Sequence, residues 1–330
     1  MKFLMLKLLV LVSLSASLSA REVVIYSVYP GDRLEAVFKP FTAATGINVK
    51  VVEGKSLDLI NKIEAEGEQT QADLHLDKDL VFHGIANRKG LYRAIESEKV
   101  FNQVPSHFIE SNNKWTTLFY RSRLIMFNTN AVKKSELSTY EDLGSEKWLG
   151  RLCMRTSKSN YNQALVAYLV AHFGKEKATQ IAKSWVKNTD MPVFTSDRAI
   201  ISAVAEGKCD VGIANSYYLV PFIEKDPNFP VRLFFPSQDT AKAHINGVGI
   251  GITKYAKNVT EANMVIEYLT SAQVQAPVAD AFDQYPVNTQ APLGTILSGF
   301  GDFKVDSTNI GVISNLTDIA TEVMKEANWQ

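Results

Sequence analysis

Glu22-Val-Val-Ile-Tyr-Ser-Val28, Arg33-Leu-Glu-Ala-Val-Phe-Lys-Pro-Phe-Thr-Ala-Ala-Thr45 and Ile47-Asn-Val-Lys-Val-Val52 follow one another near the start of the chain and decide its fold. The first piece is β-branched and apolar, the composition of a buried strand. In the second, Leu34, Val37, Phe38 and Phe41 recur at the spacing of one helix face, and Gly46 supplies the stop. The third alternates as a strand. Leu57 to Ala65 then reads as a helix, Ala72 to Leu76 as a strand, and Leu80 to Arg88 as a helix ending before Gly90. Strands alternating with helices imply an α/β fold, with an open, largely parallel sheet covered by helices on both faces.

Further along, Trp115 to Phe127 reads as two extended pieces interrupted at Arg121-Ser-Arg123, where a first lobe hands over to a second. The second lobe repeats the pattern with strand Arg151 to Arg155, helices Tyr161 to Phe173, Lys175 to Val186 and Asp197 to Glu206, and strand Cys209 to Ala214. A helical segment after Tyr218 and strand Val231 to Phe235 follow. Gly247-Val-Gly-Ile-Gly-Ile-Thr253 is apolar and punctuated by glycine, suited to a strand crossing back where backbones approach closely. A mature chain of about 310 residues exceeds a single simple core, so two lobes are expected. Their expected bounds are 21–124 plus about 247–300, and 125–246 plus about 301–330.

The first 20 residues open with Met1-Lys-Phe-Leu-Met-Leu-Lys7, continue apolar to Val12 and end Ser/Ala/Leu-rich at Ala20. That is a signal peptide with cleavage near Ala20, although Leu18 is larger than the usual residue at its place. Its apolar run is too short to span a bilayer. No cysteine stands there to carry a lipid anchor, so export to a periplasm is expected. Lys plus Arg and Asp plus Glu number 35 each, which argues against nucleic acid as a partner. The two cysteines, Cys153 and Cys209, fall in strand-like segments; a disulfide and two buried thiols both remain open.

Enzyme signatures are missing. No HExxH, GxSxG or Walker loop occurs, since Glu53-Gly-Lys-Ser56 matches only the tail of the last. His75, His83, His107, His172 and His244 lack zinc-ligand spacing. Instead, Tyr217 and Tyr218 follow the strand Cys209 to Ala214, and Tyr161 follows Arg151 to Arg155 through Thr156-Ser-Lys-Ser-Asn160. In open α/β sheets ligands gather beyond the carboxyl ends of strands, so three phenols converge on one edge. Ferric iron favours such anionic oxygen donors. Thr156, Ser157, Ser159 and Asn215 add hydroxyl and amide groups suited to a synergistic anion or water, or to capping. With twelve tyrosines in 330 residues, packing is the competing reading of the adjacent pair.

Asn215-Ser-Tyr-Tyr218, Arg155-Thr-Ser-Lys-Ser-Asn-Tyr-Asn-Gln163, Tyr26-Ser27 with Phe41-Thr-Ala-Ala-Thr-Gly46, Ala72-Asp73 with Asp79, and Tyr285-Pro-Val-Asn288 stand in order along the mature chain. Together they resemble the periplasmic ferric-iron-binding proteins of ABC importers, the bacterial transferrin-like group. The resemblance implies a two-lobed periplasmic binding protein fold, with a hinge of crossing strands and an interlobe cleft. It implies Fe(III) as cargo, tyrosinate ligands at Tyr161, Tyr217 and Tyr218, and a site arginine at Arg121 or Arg123. An ABC transporter membrane permease is the implied partner, and a monomer is expected. One departure lies in the first lobe. Many members carry a histidine after the first strand, often with a neighbouring tyrosine, but Pro30 and Gly31 fall in those places here, leaving Tyr29 as the substitute ligand or as a loop aromatic over the cleft. Asp77 and Asp79 are further candidates, with helix capping the alternative for Asp79. The second functional reading is a binder of a polyamine, thiamine or an oxyanion on the same scaffold. A periplasmic hydrolase is a third and lacks any nominated nucleophile.

Overall fold

The computed structural model describes residues 21–330, so the expected signal peptide lies outside the described residues. Strand β1 (Glu22–Ser27), helix α1 (Gly31–Thr45) and strand β2 (Asn48–Glu53) form the expected unit, with β1 and β2 parallel from Glu22 opposite Asn48 to Ser27 opposite Glu53. Gly46 ends α1 at φ 68°, a left-handed turn that costs glycine little. Helix α2 (Ser56–Glu66), β3 (Leu74–Asp77) and α3 (Leu80–Arg88) follow, and β3 pairs parallel with β1. A short helix α4 (Glu98–Gln103) precedes β4 (Trp115–Asn128).

Strand β4 joins the two halves of the molecule. It is one continuous strand of 14 residues, not two pieces broken at Arg121-Ser-Arg123. From Trp115 to Ser122 its partner is β8 (Ile245–Ile252), and from Arg123 to Phe127 its partner is β6 (Val211–Asn215). One neighbour takes over where the other stops, so β4 stays paired across Arg121-Ser-Arg123. The irregularity is a register shift between Thr117 and Phe119 instead.

Beyond β4, β5 (Leu152–Cys153) pairs parallel with β6, and α5 (Asn160–Lys187) is broken at Gly174, φ 76° and ψ 165°, into the two helices expected there. Then come α6 (Asp197–Ala205), a 3-10 turn at Ser216–Tyr218, α7 (Val220–Lys225) and β7 (Val231–Phe234). Cys153 on β5 and Cys209, two residues before β6, are joined by a disulfide with Cα atoms 5.8 Å apart, the pairing of β5 with β6 having brought the two segments together. The return strand β8 runs antiparallel between β3 and β4. A Cβ at Gly247 would strike the Phe119 carbonyl, which explains the glycine there. Helices α8 (Val259–Thr270) and α9 (Ala272–Ala281), strand β9 (Tyr285–Pro286), and helices α10 (Thr295–Gly299), α11 (Ile310–Asn315) and α12 (Thr317–Glu326) complete the chain.

The sheet is therefore mixed and not largely parallel. Parallel pairing survives at β1–β2, β1–β3 and β5–β6, whereas β4 and β8 impose antiparallel pairing on everything they touch. Two large cores divide at β4. One gathers Ile25, Phe38, Leu74, Trp115 and Phe119 with Ile250 and Val265; the other gathers Ile125, Trp148, Leu165, Trp185, Val211 and Val323. The result is a two-lobed α/β fold whose hinge is built from crossing strands.

Candidate metal centre

Because β5 and β6 lie side by side and parallel, the segments that follow them emerge on one edge of the second lobe. Tyr161 stands in the first turn of α5, and Tyr217 and Tyr218 in the turn after β6. The Tyr217 hydroxyl donates to the Tyr161 hydroxyl at 3.3 Å, and the Tyr217 and Tyr218 ring centroids lie 4.2 Å apart. All three tyrosines are half-buried. The structure thus brings together the three phenols that the strand-edge argument selected.

The two arginines on β4 do different work. Arg123, 1% exposed, is fully engaged: it donates to Asn162 Oδ1 at 3.0 Å, Asp197 Oδ2 at 2.8 Å, Asn215 Oδ1 at 3.3 Å and the Ile213 carbonyl at 3.2 Å. Asn162 follows Tyr161 and Asn215 precedes Tyr217 by two, so Arg123 fixes the two tyrosine-bearing segments relative to each other. Arg121, 2% exposed, donates to Asp79 Oδ2 at 3.3 Å, and its guanidinium lies 5.2 Å from the Tyr161 ring centroid. Arg155 lies at the same 5.2 Å from that ring, and Arg198 is 5.3 Å from Tyr218.

Asp197 was not singled out from the sequence as more than a helix start, yet it is fully buried and organises the site. It accepts from Arg123, from Arg155 at 3.1 Å and from the Asn215 backbone N–H at 3.0 Å. Burial opposes its ionisation, but the two arginines and the backbone donor outweigh that and hold it below the usual carboxylate range. Asn215 Nδ2, Ser159 Oγ, Ser216 Oγ and Arg121 Nε are buried without a protein partner, which leaves unused hydrogen-bonding capacity around the phenols. Ser157 is held through its own backbone, donating to the Gln330 carbonyl at 2.7 Å.

On the first lobe, Tyr29 is half-buried, its N–H bonded to Ser27 Oγ at 2.9 Å and its ring edge-on to Phe282 at 5.6 Å. It lies within electrostatic reach of Arg121 and Tyr161, although no hydrogen bond joins it to the second-lobe phenols among the described residues. Burial raises the phenols of Tyr29, Tyr161 and Tyr217 above their ordinary range, and Arg121 opposes that rise at all three. Asp77 and Asp79 are completely buried. Asp79 caps α3 by accepting from Val81 N–H at 3.1 Å, as expected, and has further partners besides.

Among the described residues, no group of three or more His, Cys, Asp or Glu is placed to hold a metal ion. The clustered donors are phenol oxygens next to cations, which suits a hard trivalent cation and offers no nucleophile with its base.

Comparison with known proteins agrees with this chemistry. The family model for bacterial extracellular solute-binding proteins matches residues 36–298. Iron uptake protein A1 of Synechocystis sp. is 36% identical over 316 residues, covering 94% of this chain and 88% of that protein. A solved Trichodesmium structure (IdiA, FutA), in complex with iron and citrate ligands, is 36% identical with TM-score 0.89, covering 94% of this chain and 100% of that one. Ferric iron-binding protein A of Mannheimia haemolytica, solved in an open conformation, is 28% identical with TM-score 0.86, covering 94% and 99% respectively. The chain belongs to the bacterial extracellular solute-binding proteins.

Proposed function

We propose that this chain is the periplasmic binding component of an iron importer, capturing ferric iron in its interlobe cleft and delivering it to an ABC transporter membrane permease. Tyr161, Tyr217 and Tyr218 ligate the metal as phenolates, with Tyr29 closing on it from the first lobe. The observation that carries this reading is the Tyr217–Tyr161 hydroxyl pair at 3.3 Å beside Tyr218, in a molecule whose described residues hold no group of three or more His, Cys, Asp or Glu placed for a metal ion. Charge supports it too. Three phenolates neutralise a trivalent cation, while Arg121 and Arg155 each face a carboxylate, Asp79 and Asp197 respectively.

A synergistic anion or water completes the coordination, with Ser157 and Asn215 beside it and Arg121 and Arg198 supplying positive potential at the phenols. The Trichodesmium relative in complex with iron and citrate supports a carboxylate in that role. The lobes are residues 21–124 plus about 247–300 and 125–246 plus about 301–330, and closure follows if the metal bridges them and so binds the closed state preferentially. No chemistry on a substrate is required, and the chain acts as a monomer without enzymatic activity.

Addition of ferric citrate to the metal-free protein at neutral pH should produce a visible tyrosinate-to-iron charge-transfer absorption, weakened by Tyr217→Phe or Tyr218→Phe. A protein that stays colourless under iron excess sinks the assignment.

A further inference from the structure

Asp79 receives hydrogen bonds from four parts of the molecule. Its Oδ1 accepts from Val81 N–H at 3.1 Å, in its own helix α3, and from Asn246 Nδ2 at 3.0 Å, on β8. Its Oδ2 accepts from Arg121 Nη2 at 3.3 Å, on β4, and from Asn160 Nδ2 at 2.6 Å, at the start of α5. Asn246 closes the set by accepting from Leu80 N–H at 3.1 Å. The carboxylate is 0% exposed, and Leu80 beside it packs in the first core. Asn160 belongs to the helix whose Leu165 and Val166 pack in the second core. The Asp79–Asn160 bond therefore joins the two lobes directly, and Asn160 is the residue before Tyr161.

Geometry gives this bond a second effect. Holding Asn160 sets the first turn of α5, and with it the Tyr161 ring. Holding Arg121 sets the guanidinium that lies over the same ring. A single side chain thus positions a phenol and the cation that eases its ionisation. A carboxylate accepting from charged and amide donors in a dry site is a strong and directional anchor, and removing one partner leaves the rest unsatisfied.

We infer that Asp79 is a positioning residue and a latch: through Asn160 and Arg121 it holds the lobes together and arranges Tyr161 for metal before metal arrives. This rests on the iron reading above for its effect on the metal, but the latch itself is a property of the metal-free protein. It predicts that the closed arrangement is populated without cargo, and that iron leaves by way of rupture of this bond.

The test compares the full chain with Asn160→Ala, Asp79→Asn and the exchange Asp79→Asn/Asn160→Asp. Asp79→Asn still offers Oδ1 to cap α3, so the helix is retained, but its Nδ2 faces the donor-only Arg121 and meets Asn160 only when that amide turns its Oδ1 inward, which weakens the bond across the lobes. The exchange restores the pair with its roles reversed. Small-angle scattering of the metal-free proteins should show a larger radius of gyration for both single variants and a value near the original for the exchange. After loading with ferric citrate, iron loss to excess chelator should be about 10- to 100-fold faster in the single variants, the loss of one hydrogen bond to a charged group. The exchange should return the release rate toward the original, whereas the charge-transfer maximum should stay shifted in Asp79→Asn and in the exchange, both of which leave Arg121 without its carboxylate. Unchanged scattering and release rates within about twofold in both single variants, or no recovery of the radius of gyration in the exchange, would overturn the latch. If Asp79→Asn does not fold, Asn160→Ala removes only the partner across the cleft and decides the matter. Scattering needs no metal, so it judges the latch even where an absent charge-transfer band has already sunk the iron reading.

Discussion

Iron affinity should climb steeply with pH, and the slope counts the phenolates. A phenol with an ordinary value of about 10 is ionised to about one part in a thousand at pH 7, so making one phenolate there costs about 4 kcal/mol. Three cost about 12 kcal/mol, and burial of Tyr161 and Tyr217 adds to that while Arg121 subtracts. Below its folded value each ligating phenol must release one proton to solvent as the metal binds, so affinity gains about tenfold per pH unit per phenol, or about a thousandfold for three. Tyr217→Phe removes one proton from the exchange, and the slope should fall to about a hundredfold per unit. Competition against a chelator of known ferric affinity, at fixed citrate from about pH 6 to about pH 8, measures this through the charge-transfer absorbance. A gain of tenfold or less per unit in the unsubstituted protein, or the same slope in Tyr217→Phe, would refute the phenolate account. Tyr29 closes on the metal as a neutral phenol in this account, and a fourth proton would make it a fourth phenolate.

The disulfide closes a segment between residues 56 apart, for which chain entropy gives about 4 kcal/mol; Cys153→Ser/Cys209→Ser should lower unfolding free energy by about 2 to 4 kcal/mol in urea titration, and an unchanged midpoint contradicts it. Asp77 is pushed up from the ordinary carboxylate range to about 7, chiefly by burial and further by Asp79. Below about pH 4 both states hold the proton; between there and about pH 7 the unfolded chain ionises first, so stability drains by about 1.4 kcal/mol per unit, about 4 kcal/mol in all. Asp77→Asn should therefore be isoenergetic with the original near pH 4 and more stable above pH 7, and parallel pH curves would count against this. Arg123→Leu leaves the buried Asp197 with Arg155 as its one charged partner, and the lost hydrogen bond to a charged group should cost about 1.5 to 3 kcal/mol. A loss below about 1 kcal/mol by calorimetry would mean that Arg123 does not hold the tyrosine segments.

Local pattern carried the elements that are complete in themselves. The α1 face of Leu34, Phe38 and Phe41 and the exact span of α3 followed from spacing and from punctuation by Gly46 and Gly90. It failed where the deciding partner is remote. The continuity of β4 through Arg121 and Arg123 depends on Asp79 and Asp197, carboxylates 42 and 74 residues away that satisfy charges a strand would otherwise exclude. The antiparallel return of β8 leaves no local trace either, because a strand buried on both faces reads alike in either direction. The same limit left the cysteines undecided until β5 was placed beside β6.

The site divides in the same way. Tyr161 and Tyr217 were readable because each follows a strand on a common edge, and a strand edge is a position that order alone supplies. Asp197 was not, since a residue at a helix start carries no sign that two arginines will meet there. Tyr29 is intermediate: its loop is evident, but its standing relative to Tyr161 depends on how the lobes face each other.

Native mass measurement of the protein after exposure to ferric citrate tests the central claim most directly. One iron per chain should be bound, with a mass gain of one iron less three protons, the charge balance of Fe(III), or that value plus one citrate, and Tyr161→Phe/Tyr217→Phe/Tyr218→Phe should bind none. Metal retained by the triple variant, or a gain of one iron less two protons, the balance of a divalent ion, would contradict it.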